Sequence, residues 1–207
     1  MADLSAHKAA QAANADALAA KATKAGRRAL SSSTLLIAQH VLDAAMRDSG
    51  KPPLNETAAD MAAVRTDPQL RRVLEEDIEA SRDATLDLVL AAMEDGLDSE
   101  MRWQVTQFRG MTWTMTEMDT VVLNGYPVQG HTPAELVAWM HDQLRYEVVG
   151  LLSAPLDGST NAATLPEQLG ALLERFGGRV GGAVSEGYFA GVQLGVRTAA
   201  EAVLHAG

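Results

Sequence analysis

Residues 177–195 read GGRVGGAVSEGYFAGVQLG, and the reading of this stretch decides the fold. Seven of the chain's seventeen glycines fall inside it, in a segment that otherwise has the composition of a helix. Gly187, Gly191 and Gly195 recur every four residues, with Ala183 before them and Ala199 after. Positions four apart share one face of an α-helix, so the row predicts a smooth groove free of side chains. Each interior glycine lowers helix stability by about 1 kcal/mol relative to alanine. A row of them therefore predicts another backbone packed close against this helix, either a neighbouring helix or a second copy of the chain. The glycines follow no strand and carry no Gly-x-x-x-x-Gly-Lys, so they do not read as a phosphate cradle.

Working outward, the rest of the chain is punctuated as helices. Asp67-Pro68 is an N-cap followed by proline at the first helical position, predicting a helix from there to Glu94 with Gly96 at its end. A further helix is expected over 99–123, where Met101, Val105, Phe108, Met111, Met115, Met118 and Val122 advance by threes and fours as one buried face. Gly125-Tyr126-Pro127 and Gly130 make a turn. Thr132-Pro133-Ala134-Glu135 then forms a capping box, opening a helix with Leu136, Met140, Leu144, Val148 and Leu151 inward. Thr164-Leu165-Pro166-Glu167 opens another that stops at Phe176-Gly177-Gly178, before the glycine-lined helix. Towards the N-terminus, Ser31-Ser32-Ser33 offers cap oxygens to a helix burying Leu35, Leu36, Val41, Leu42, Ala45 and Met46, halted by Gly50 and Pro52-Pro53. A short helical piece is expected around 57–65. Residues 3–28 read as a weakly amphipathic, alanine-rich helix. No segment shows the two-residue alternation of strands.

The expected fold is all-α, a helical bundle of about six to eight helices. Its organisation is an alanine-rich helical arm over 1–30, a bundle core over 31–154, and a linker plus C-terminal helical hairpin over 155–207 that packs on the core or on a partner.

Composition narrows the function classes. The net charge is -10, and no Lys/Arg cluster exceeds pairs such as Arg27-Arg28, which argues against direct nucleic-acid binding and against anionic membrane surfaces. The absence of cysteine removes disulfides, thiolate metal sites and a cysteine nucleophile. No secretory signal or membrane span is legible, so the chain reads as cytoplasmic.

Four groups of residues are candidates for chemistry. Glu75, Glu76, Glu79 and Asp83 crowd one acidic helix, and paired helical carboxylates can hold Mg²⁺ or Mn²⁺ for phosphate chemistry. The Glu75-Glu76-x-x-Glu79 run resembles the first acidic motif of all-α nucleotide pyrophosphohydrolases of the MazG kind, but their second motif, Glu-x-x-Asp on a following helix, is not matched. The competing reading is a solvated face laced by Arg72 and Arg82. The five histidines form no metal-ligand spacing, and His141 reads as a surface or boundary residue. The methionines and tryptophans of 101–140 read as core or as the lining for a small apolar ligand, with Trp103 and Trp113 falling on a second face that contacts another helix or another subunit. Gly187, Gly191 and Gly195 complete the set as close-packing interface residues.

Residues 66–152 carry a resemblance. Asp67-Pro68-Gln69-Leu70-Arg71-Arg72-Val73-Leu74 leading to Met93-Glu94-Asp95-Gly96, then Asn124-Gly125-Tyr126-Pro127-Val128 and a Leu136–Leu152 helix, are similar to the N-terminal helical sensory region of PucR/CdaR-type transcriptional regulators. The sequence departs from that family by the extra stretch Gln129 to Thr132 and has no DNA-binding domain after it. The resemblance implies a signal-input or interaction module and transfers no functional residue. The leading expectation is a non-enzymatic helical module that self-associates as a homodimer or binds a protein partner, in a regulatory or scaffolding role and without a cofactor. The alternatives are the Mg-dependent pyrophosphohydrolase and the apolar-ligand sensor.

Overall fold

A computed structural model describes residues 3–47, 67–108, 111–153 and 165–205. Among them are five long helices and one of nine residues, and no strand. They are α1 (Leu4–Gly26), α2 (Ser31–Arg47), α3 (Pro68–Gln107), α4 (Glu117–Gly125), α5 (Pro133–Ser153) and α6 (Leu165–His205). The fold is all-α. The expected segmentation does not hold: the 99–123 helix is divided between α3 and α4, and the two C-terminal helices are fused into one. α3 runs through Gly96 to Gln107, and α6 runs unbroken through Gly177-Gly178, so the C-terminal hairpin is a single helix of 41 residues. The piece expected at 57–65 and the linker at 154–164 lie outside the described residues.

Gly96 and Gly177 do not stop their helices, and for one physical reason. A C-terminal glycine earns its place by adopting positive φ, whereas Gly96 and Gly177 serve close approach inside a helix. A methyl at Gly96 would overlap the Tyr188 carbonyl oxygen of α6. One at Gly177 would sit 2.7 Å from the Thr23 carbonyl oxygen of α1. Positive φ among described residues is confined to Gln129 (53°) and Gly130 (83°), in the tight turn closed by reciprocal Val128 and His131 backbone bonds of 2.8 and 3.1 Å.

α3 and α6 form a parallel spine, each about 60 Å long at 1.5 Å per residue. Val89 meets Gly187, Met93 meets Gly191 and Glu100 meets Gly195 in ascending register. α1 lies antiparallel along the middle and C-terminal part of α6, with Gly26 against Gly177 and Ala19 and Thr23 against Gly181. It is thus a packed helix of the bundle, with Ala15 and Ala22 buried, and not an arm. α2 and α5 flank the N-terminal half of α3, both antiparallel to it, through Ser33–Asp77 and Arg145–Glu75 respectively.

The caps behave as local chemistry dictates. Asp67 accepts from the Gln69 N–H at 2.8 Å, and Thr132 and Glu135 complete their reciprocal box. The first turn of α2 is served from outside. The Asp77 carboxylate of α3 accepts from the Ser33 N–H at 2.7 Å and from its hydroxyl at 2.9 Å, satisfying a donor that a helix start leaves open. The single buried face expected over 99–123 is broken. α3 ends with Phe108, residues 111–116 are not helical, and Thr116-x-x-Asp119 makes a second capping box for α4. The box starts a new helix in the middle of the methionine periodicity. In consequence Met118 and Val122 face outward, as does Leu35 on α2.

Candidate functional site

The glycine row finds its neighbour within the chain. A methyl at Gly191 would overlap the Met93 carbonyl oxygen of α3, and one at Gly187 would lie 3.2 Å from the Val89 carbonyl oxygen. At Gly195 it would meet Glu100 Cβ at 2.9 Å. The groove is filled by α3, so Gly187, Gly191 and Gly195 are not an interface with a second copy. The tryptophans are also engaged inside the chain. Trp103 stacks on the His7 ring of α1, with centroids 4.7 Å apart and planes 6° from parallel. Trp113 is half-buried against the core. Both indole N–H groups are buried without a hydrogen-bond acceptor, so their contribution is packing area.

Gly195 makes room for a buried carboxylate that sequence reading missed. Glu100 is 4% exposed and lies between α3, α1 and α6. Its oxygens accept from Gln11 at 2.9 Å and Gln104 at 2.6 Å, and His7 Nε2 stands 3.1 Å away. Three donors surround one charge, which is what a buried carboxylate requires. The cluster couples α1 to the spine. Its signal, a glutamate three residues after Leu97 on the inward face, is visible only once α1 is known to pack there.

The second buried polar group corrects the reading of His141 as a surface residue, since it is 1% exposed. Nδ1 lies 2.9 Å from the Val137 carbonyl oxygen, which can only accept, so Nδ1 carries the proton. Nε2 is then a lone pair and accepts from the Ser81 hydroxyl at 3.1 Å. The ring meets Phe176 of α6 edge-on at 5.0 Å. Burial holds the imidazole pKa below its ordinary value; the Val137 bond opposes this, and the nearby Arg82 charge adds to the lowering. A serine bonded to a neutral histidine is the start of a nucleophilic pair. Here Ser81 sits mid-helix, where the neighbouring N–H groups belong to the helix ladder and leave no oxyanion donors. The pair is a satisfied core hydrogen bond joining α3 to α5.

The acidic face is exposed and cross-linked by arginine. Arg145 of α5 holds Glu75 at 2.8 Å and reaches Glu79 at 3.8 Å, while Arg72 pairs with Glu76 at 3.4 Å. Asp83 is exposed on the same helix. Among the described residues no group of three or more histidine and carboxylate side chains is arranged to hold a metal ion. A cleft of about 530 Å³ opens between the N-terminal part of α3 and the C-terminal end of α5, walled by Leu70, Leu74, Val149 and Leu152 with Glu75 at its rim.

Three of the helices present several large apolar side chains each to solvent. On α4, Met118, Val121 and Val122 stand three and four residues apart, and Met118 is 70% exposed. Trp139, Tyr146 and Val149 are exposed on α5 at spacings of seven and three, and Phe189, Val196 and Val203 on α6 at spacings of seven. No described helix is long and apolar enough to cross a membrane. No family model, curated protein or solved structure matches the chain.

Proposed function

We propose that this chain is a non-enzymatic helical module that works by association, as a homodimer or with a protein partner, in a regulatory or scaffolding role. The observation that carries this reading is the set of outward apolar faces on α4, α5 and α6, repeated at helical spacing on elements whose other faces are already packed. Apolar faces of this kind mark contact surfaces when they are contiguous. Glu100 and His141 are saturated by their neighbours, which leaves them as fasteners of the bundle. The resemblance of residues 66–152 to a sensory region points the same way, towards signal input through contact.

Sedimentation velocity across a hundredfold range of protein concentration tests the reading, together with native mass spectrometry of the untagged chain. The expected result is a concentration-dependent mass or a stable multiple of the protomer. A monomer throughout, with no protein partner bound in pairwise assays, would overturn it. The cleft walled by Leu70, Leu74, Val149 and Leu152 favours a second reading, a sensor of a small apolar ligand, and the same spectrum would then show a protomer carrying added mass.

A further inference from the structure

We propose, building on that association reading, that the outward face of the C-terminal half of α6 is a two-fold seam that receives the same face of a second copy, antiparallel. Phe189, Val196 and Val203 are seven residues apart and exposed, with the half-buried Val192 between the first two at spacings of three and four. The exposed stripe keeps the seven-residue spacing of a helix–helix seam, and it lies opposite the Gly191 face that α3 occupies.

Charge supplies the occupant and its direction. Glu186 and Arg197 are both exposed and lie eleven residues apart, three helical turns, so they stand on one flank of the seam. In an antiparallel two-fold pair a flank meets its own copy. Glu186 then opposes Arg197 of the second copy, and the reverse, in two symmetric ion pairs. The midpoint between Glu186 and Arg197 falls within one residue of the midpoint between Phe189 and Val196, so the same register stacks Phe189 on Val196 of the other chain. In a parallel pair this flank would face the side on which α1 packs, and the complementarity would be lost. Arg197 also pairs with Glu201 within its own helix at 2.9 Å, which holds the guanidinium on the seam's flank.

The chain contains no cysteine, so single cysteines report the geometry directly. Gln193, exposed and close to the two-fold axis, should give a disulfide-linked dimer as Gln193→Cys under mild oxidation. Glu186→Cys should not, because its two copies stand about 17 Å apart along the axis in this register. Glu186→Arg and Arg197→Glu should each weaken self-association about tenfold, with helicity by circular dichroism retained. Mixed together they should form a heterodimer, in which both flank pairs are again opposite in charge. A monomeric wild type overturns the seam. A dimeric wild type whose Gln193→Cys variant does not cross-link, or whose charge variants associate as before, overturns the seam while leaving association through another face intact.

Discussion

Gly191→Ala measures how tightly the α3–α6 spine is closed. In an open helix position, glycine to alanine adds about 1 kcal/mol of stability. At Gly191 the new methyl would overlap the Met93 carbonyl oxygen and stand 2.8 Å from its carbon and 2.9 Å from the Leu97 nitrogen. These are backbone atoms in the middle of a 40-residue helix, so no side chain can swing aside and the helices must part. Overpacking of this kind costs about 1–3 kcal/mol, and a gap of 0.5–1 Å along the seam forfeits roughly a quarter to a half of each contact it opens. Set against the propensity gain, the net loss is about 0–2 kcal/mol. At roughly 2–4 °C per kcal/mol for a chain of this size, Tm should fall by up to about 8 °C, where an open position would raise it. Gly182 supplies the control, because it is exposed on the same helix and an added methyl meets nothing within 4 Å. Gly182→Ala should raise Tm by about 2–4 °C. The assay is thermal unfolding followed by far-UV circular dichroism. Equal rises in both variants would refute the close-packed spine.

Glu100→Ala should leave the Gln11 and Gln104 amides without their acceptor and destabilise the protein by about 1–3 kcal/mol. Hydrogen exchange should then rise first in α1; uniform exchange across the molecule would deny Glu100 its coupling role. His141 is held neutral, its pKa below the ordinary value near 6.5, so the native state binds fewer protons than the unfolded chain as pH drops through 6.5. Its contribution is present above pH 6.5 and is lost as pH falls from there towards the lowered native pKa, and His141→Gln should remove that part of the dependence in Tm measured from pH 7.5 to 5. An unchanged profile would show that the ring does not titrate differently on unfolding. Millimolar Mg²⁺ or Mn²⁺ should leave Tm unchanged, since Arg145 and Arg82 already pair with Glu75 and Glu79. A rise would revive the metal reading, because a ligand bound only by the native state stabilises it.

What the sequence determined by itself was everything that depends on residues within about one helical turn. The all-α class, the Asp67-Pro68 start, the Thr132–Glu135 box and the need of Gly187, Gly191 and Gly195 for a close neighbour all rest on hydrogen bonds and spacings of two to four residues. What only the tertiary structure decided depends on partners far away in the chain. Gly96 and Gly177 read as stops because a lone sequence cannot distinguish a glycine that bends the backbone from one that admits another, and the backbones admitted lie some ninety residues or more away, at Tyr188 and Thr23. The same separation hid the burial of His141, whose hydroxyl partner is Ser81, and of Glu100, whose donors include Gln11. A polar side chain on a helix looks solvated until the donor that satisfies it is brought alongside, and that juxtaposition is made by the α1, α3, α5 and α6 packing alone.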